Sequence, residues 1–138
     1  MSAGARTPSR VTLAALIVLG LINLARGSIH AFLPDSGAGV IAGFDLSQGG
    51  ATIIFLLAAI GAGQIGSGLV DLLVATRYRA FAVPLLGIEL LRNLIGLYLA
   101  FVSKPAPTDF PGEKGLVAGS VVMAAVLVWE FARRRRPV

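Results

Sequence analysis

The sequence contains no cysteine and a single histidine, His30. The first absence excludes disulfide frameworks, thiolate zinc sites, iron–sulfur clusters and covalently attached c-type haem. The second excludes bis-histidine haem ligation and histidine-pair metal sites within one chain, and no cofactor is expected. Charge is scarce too, at 14% of residues against about 25% in an ordinary soluble domain. What fills the chain is apolar: 56% of its 138 residues are hydrophobic, and the mean hydropathy is +0.83. One domain of this length does not hide so much apolar surface from water, and a disordered chain needs low hydrophobicity. The composition therefore argues against a water-soluble enzyme and a disordered protein alike, and for a lipid bilayer as the solvent.

The apolar residues fall into four runs, at 11–25 (extendable to 33), 51–75, 80–103 and 115–129 (extendable to 132). Crossing a hydrocarbon core of ~30 Å takes about 20 helical residues. The expected fold is all-α, an integral-membrane four-transmembrane-helix bundle forming a single domain over residues 1–138. Its crossings are expected near 11–33, 51–75, 80–103 and 115–132. Arg6 and Arg10 ahead of the first run match the start of a signal peptide. The stretch after that run, Arg26-Gly27-Ser28-Ile29-His30, lacks a small-x-small cleavage site, so a retained helix is expected.

The links differ in character. Residues 34–50 are glycine-rich with a short apolar centre and read as an interfacial or shallow re-entrant loop, with Asp45 or Ser47 placed to cap the second helix. Residues 76–79 are few enough to make helices two and three a tight antiparallel hairpin. Residues 104–114 carry three prolines and read as an extended, solvated turn.

A net charge of +5 would suggest nucleic acid in a soluble protein. Here the basic residues sit at the ends of apolar runs, so topology accounts for them and no nucleic-acid partner is expected. Arg6, Arg10, Arg77, Arg79 and Arg133 to Arg136 lie on one side; Arg26, Lys104 and Lys114 lie on the other. The positive-inside rule then puts both termini in the cytoplasm, with a bacterial inner membrane as the expected location.

Gly61-Ala62-Gly63-Gln64-Ile65-Gly66 spells the dinucleotide-binding string, yet it lies inside an apolar helix without the strand that motif requires. Packing of small residues is the better reading: Ala59, Gly63 and Ser67 recur every four residues, and Gly115 and Gly119 repeat the spacing on helix four. Such surfaces suit a homo-oligomer or a larger membrane complex as well as contacts within the chain.

The ionisable residues of helix three carry the most information. Glu89, Arg92 and Asn93 share one face, and charges at the bilayer centre cost roughly 2.5–3.5 kcal/mol each, so they should face protein. Counting at ~1.5 Å per residue puts Glu89 about 13 Å and Arg92 about 18 Å deep, level with Gln64 at about 16 Å and Asn23 at about 19 Å. Gly61, Gln64, Gly68 and Asp71 share a face of helix two; Gly20, Asn23, Gly27 and His30 share one of helix one. Helices one to three are thus expected to enclose these groups, with helix four, polar only at Ser120, outermost. Asp71 is expected to snorkel towards Arg77, and His30 to hydrogen-bond near the outer interface. Asp35, Asp45 and Asp109 are loop acids without cation-binding spacing.

Three functions fit this pattern. The first is a non-enzymatic accessory or scaffold protein of the bilayer. The second is an oligomeric small-solute or proton-coupled carrier using Glu89 and Arg92. The third is a membrane enzyme acting on a lipid or quinone.

Overall fold

The computed structural model describes residues 7–105 and 111–135. Arg6, Asp109, Arg136 and the middle of the proline-rich link lie outside the described residues. The fold is all-α, with helices α1 (Arg10–Phe32), α2 (Gly50–Thr76), α3 (Ala82–Tyr98) and α4 (Pro111–Arg135). A 3-10 turn, Arg79–Phe81, leads into α3, and a π-helical turn, Leu99–Ser103, ends it. With these turns, the third span covers Arg79–Ser103, and all four spans are long and apolar enough to cross a membrane. Pro84 is tolerated because it falls in the first turn of α3, where the missing N–H would have had no intrahelical acceptor. Pro111 opens α4 for the same reason, so this helix starts four residues earlier than its apolar run.

Each helix buries one narrow face. In α1 this is Thr12, Leu16, Gly20, Asn23 and Gly27, spaced three or four residues apart; in α3 it includes Ala82, Val83, Leu86 and Glu89. The outward faces are mostly apolar, with Leu21, Phe55, Leu69, Ile88, Leu94, Val121 and Val128 all exposed. A surface of this kind is stable only against lipid or protein.

The helices associate as two pairs, α1 with α2 and α3 with α4. α1 and α2 meet at glycines. A Cβ on Gly61 would lie 2.7 Å from the Ala31 nitrogen and 2.8 Å from the Gly27 oxygen, and one on Gly68 would lie 2.7 Å from the Gly20 oxygen. The pairing of Gly27 with Gly61 and Gly20 with Gly68 is antiparallel and repeats after seven residues, two helical turns. Backbone-to-backbone approach gives the dispersion contact that membrane helices rely on in place of the hydrophobic effect. The expected stripe behaves differently: a Cβ on Gly63 or Gly66 would meet no atom within 4 Å, and Ala59 is exposed. Within the chain α2 uses the other side of the helix.

Three further expectations are corrected. The link after Thr76 is short, but α2 barely touches α3, because α2 is committed to α1. Helix four is not outermost: it packs along α3, touches α1, and buries Ser120, Met123 and Glu130. Neither Asp45 nor Ser47 caps α2. Asp45 accepts from the Ser47 N–H at 2.9 Å, and the cap position belongs to Gly49 at φ +70°, which glycine adopts without a Cβ clash.

The loop between α1 and α2 is folded back on itself. Asp35 accepts from the N–H groups of Val40 at 2.8 Å, Gly37 at 2.9 Å and Gly39 at 3.0 Å. These bonds favour the ionised carboxylate and hold its pKa below the usual value. Ser36 sits at φ +53°, kept there because its hydroxyl donates to the Ile54 carbonyl at 3.1 Å and its own carbonyl accepts from His30. Ser36, Gly37 and Ala38 are buried, while Val40 at the loop's tip is 86% exposed.

Candidate functional site

Between the two helix pairs lies a cleft of about 1140 Å³. Most of its wall is apolar, supplied by α1 residues such as Val18 and Ile22 and α4 residues such as Ala118 and Val122. Asn23, Gln64, Glu89, Arg92 and Asn93 also line it, so all five polar candidates face one space. Gly115 and Gly119 line it as well. Gly119 leaves room for Asn93, whose amide nitrogen would lie 3.0 Å from a Cβ there.

Glu89 and Arg92 form an ion pair of 2.5 Å, as their i,i+3 spacing allows. The two ends are unequal: the Glu89 side chain is 7% exposed and that of Arg92 46%. Arg92 reaches past its partner, and its second guanidinium nitrogen donates to Ser67 Oγ at 2.9 Å, tying α3 to α2 across a gap that their backbones do not close. Ser67 therefore serves as a hydrogen-bond acceptor here. The amide oxygen of Gln64 is buried and has no hydrogen-bond partner among the described residues.

Asn23 belongs to a second polar contact. Its amide donates to Asp71 Oδ2 at 3.2 Å, and Asp71 is fully buried. The expected snorkelling of Asp71 towards Arg77 is thus overturned. Asp71 packs beside Gly20, where α1 and α2 are too close for the carboxylate to leave. Its other oxygen, Oδ1, has no hydrogen-bond partner among the described residues.

The chain matches no family model, no curated protein and no solved structure. Its own geometry carries the functional argument.

At the end of the cleft nearest the α1–α2 loop, Arg26 and His30 join the wall. His30 Nδ1 is 2.7 Å from the Ser36 carbonyl. A carbonyl only accepts, so Nδ1 carries the hydrogen and Nε2 is left for other partners. Arg26 has no ion-pair partner among the described residues. The cleft thus combines a long apolar wall with one compensated cation, Arg92, and one uncompensated cation, Arg26. Among the described residues no cluster of His, Asp and Glu suited to a metal ion is present.

A residue group absent from the sequence-level site is Glu130 with Ser9 and Thr12. Glu130 is fully buried and accepts four hydrogen bonds, from Ser9 N, Thr12 Oγ1, Arg133 Nη2 and Arg134 Nε. Its spacing to Arg133 and Arg134, at i+3 and i+4, is the signal that the sequence offers.

The ion pair makes a direct prediction. Arg92→Leu leaves Glu89 buried without a countercharge and should destabilise the protein by about 3 kcal/mol, the low end for a broken buried pair because Arg92 is partly exposed. Replacing both Glu89 and Arg92 by leucine should cost less than that single change. Equilibrium unfolding in mixed micelles measures both, and the order of the two variants is the result that matters.

Proposed function

We propose that this chain is a non-enzymatic multi-pass membrane protein that binds a membrane-dissolved amphiphile in the cleft. The apolar part of the ligand lies between α1 and α4, and an anionic headgroup meets Arg26 and Arg92. The observation that carries this reading is the composition of the cleft wall: an uncompensated arginine and a row of amide and charged groups along one side of an otherwise apolar cavity. Ligand sites are mostly apolar cavities with a few convergent polar groups. A purely structural ion pair would sit between packed helices, whereas this one borders open space. Ala59 and Gly63, open on the far side of α2, are where a second membrane helix would approach in an oligomer or complex.

The protein is proposed to lie in a bacterial inner membrane with both termini in the cytoplasm. In support, Arg133 Nη2 bonds the Thr7 carbonyl at 2.7 Å, and Arg10, Arg79 and Arg134 border one pocket. The start of α1, the end of α4 and the α2–α3 link therefore share one basic end, the arrangement favoured on the cytoplasmic side.

A diazirine-bearing fatty acid tests the binding reading. Photolabelling of the purified chain should fall on Ile22, Ala118 and Val122. Arg26→Gln should lower the yield about tenfold, the worth of a charge-assisted hydrogen bond. Labelling spread evenly over outward residues such as Leu21, Phe55 and Val128, and indifferent to Arg26, would refute it. A proton-coupled carrier is the second reading, favoured by two buried carboxylates, Asp71 on α2 and Glu89 on α3. In that version Glu89→Gln abolishes proton uptake by proteoliposomes while leaving the fold intact.

A further inference from the structure

A second pocket, of about 870 Å³, opens at the basic end of the molecule. Its rim carries Arg10 from the first turn of α1, Arg79 from the α2–α3 link and Arg134 from the last turn of α4. Its deeper wall is apolar, formed by residues such as Leu13, Val83 and Phe131. Among the described residues no carboxylate lines it. Arg134 is engaged through Nε with Glu130. Arg10 has no ion-pair partner among the described residues, and Arg79 uses its Nε on the Thr76 carbonyl at 3.2 Å, leaving the rest of its guanidinium available.

Cations at the helix ends above an apolar floor match one kind of molecule, with a phosphate at the membrane surface and hydrocarbon one or two turns below. Basic pockets between membrane helices on the cytoplasmic side bind anionic headgroups in this way. We propose that this pocket is a specific site for an anionic glycerophospholipid, its phosphate held by Arg10 and Arg79 and one acyl chain laid along Leu13, Val83 and Phe131. The site is separate from the cleft and does not depend on what the cleft binds. By joining three chain segments, the lipid would also brace the end at which α1, α3 and α4 converge.

Native mass spectrometry of the purified chain, titrated with phosphatidylglycerol or with phosphatidylcholine of the same acyl chains, tests this. Phosphatidylglycerol should bind more tightly. Arg10→Gln and Arg79→Gln should each reduce that preference about fivefold, and together they should remove it. Arg77→Gln with Arg135→Gln removes the same charge from the same end outside the pocket and should leave the preference in place. An equal loss in that control would show a diffuse electrostatic surface and overturn the site. So would equal binding of the two lipids, or displacement of phosphatidylglycerol by inorganic phosphate alone, which would mark a free-anion site. Arg10 and Arg79 are exposed, and Arg10→Lys with Arg79→Lys, which retains the charge, should retain most of the preference.

Discussion

Replacing Gly61 by alanine is expected to destabilise the α1–α2 pair by about 2–3 kcal/mol, while the same change at Gly63 leaves stability unchanged or slightly raises it. The two glycines are two residues apart on one helix, and intrinsic helix preference treats them alike: removing an interior glycine favours the helix by about 0.5–1 kcal/mol. Their surroundings differ. A methyl group on Gly61 meets the Ala31 nitrogen at 2.7 Å, the Gly27 oxygen at 2.8 Å and the His30 Cβ at 2.8 Å. Two of these are backbone atoms, which move only if the helices separate. A methyl group on Gly63 meets nothing within 4 Å. Overpacking of a fitted contact costs about 1–3 kcal/mol, and here separation also weakens the Asn23–Asp71 hydrogen bond, which crosses the same interface. Gly61→Val should be worse than Gly61→Ala. Unfolding against the mole fraction of denaturing detergent gives the comparison: a lower midpoint for Gly61→Ala than for Gly63→Ala. Equal midpoints would mean that α1 and α2 tolerate a wider separation.

This contrast also explains how far the sequence is legible. Four apolar runs of spanning length determine an all-α fold, because lipid leaves no unpaired backbone group a partner. The shared faces Gly20, Asn23, Gly27 and Gly61, Gln64, Gly68, Asp71 can be read from helical periodicity. Which faces meet cannot. Small residues stand on two sides of α2, and a four-residue repeat at Ala59, Gly63 and Ser67 competes with the seven-residue repeat at Gly61 and Gly68. Only the partner helix decides between them, and α1 carries its own glycines seven apart. Depth counting likewise brings Asn23, Gln64, Glu89 and Arg92 to similar levels, with Asn93 on the same face of helix three, and all five line one cleft. It gives no sign that Asp71 takes the Asn23 amide, since a one-dimensional depth scale ignores which way a side chain points. Helix four reads as peripheral because Ser120 is taken as its only polar residue; Glu130 stands at the end of the apolar run, where an acid beside arginines looks like part of a solvated tail.

That carboxylate supplies the other large effect: Glu130→Ala should destabilise the protein by about 3–5 kcal/mol, the range for breaking a buried ion pair. Glu130 has no solvent exposure, and each oxygen has two donors. Oε2 takes the Ser9 N–H at 3.0 Å and the Thr12 hydroxyl at 2.9 Å; Oε1 takes Arg133 at 2.7 Å and Arg134 at 2.9 Å. The first pair belongs to the capped start of α1, where Ser9 Oγ also accepts from the Thr12 N–H at 3.1 Å. The second pair belongs to the end of α4. One carboxylate therefore fastens together two helix ends separated by more than a hundred residues of chain. Removing it takes the acceptor from the Ser9 N–H, leaves the Thr12 hydroxyl only Ser9 Oγ, and removes the countercharge of Arg133 and Arg134. Glu130→Gln keeps the volume but turns one acceptor into a donor facing other donors, so it should recover little of the loss. Thr12→Val removes two bonds, to Glu130 and to Ser9 Oγ, but leaves the carboxylate its other donors, and should cost only about 2 kcal/mol. A local readout separates this role from general instability. In the folded protein, trypsin should cut after Arg10 far faster in Glu130→Ala than in the wild type, while cleavage after Arg26, where the chain packs on α2 beside Gly27, stays slow. Equal protection of Arg10 in both proteins would show that the start of α1 is held by something other than Glu130.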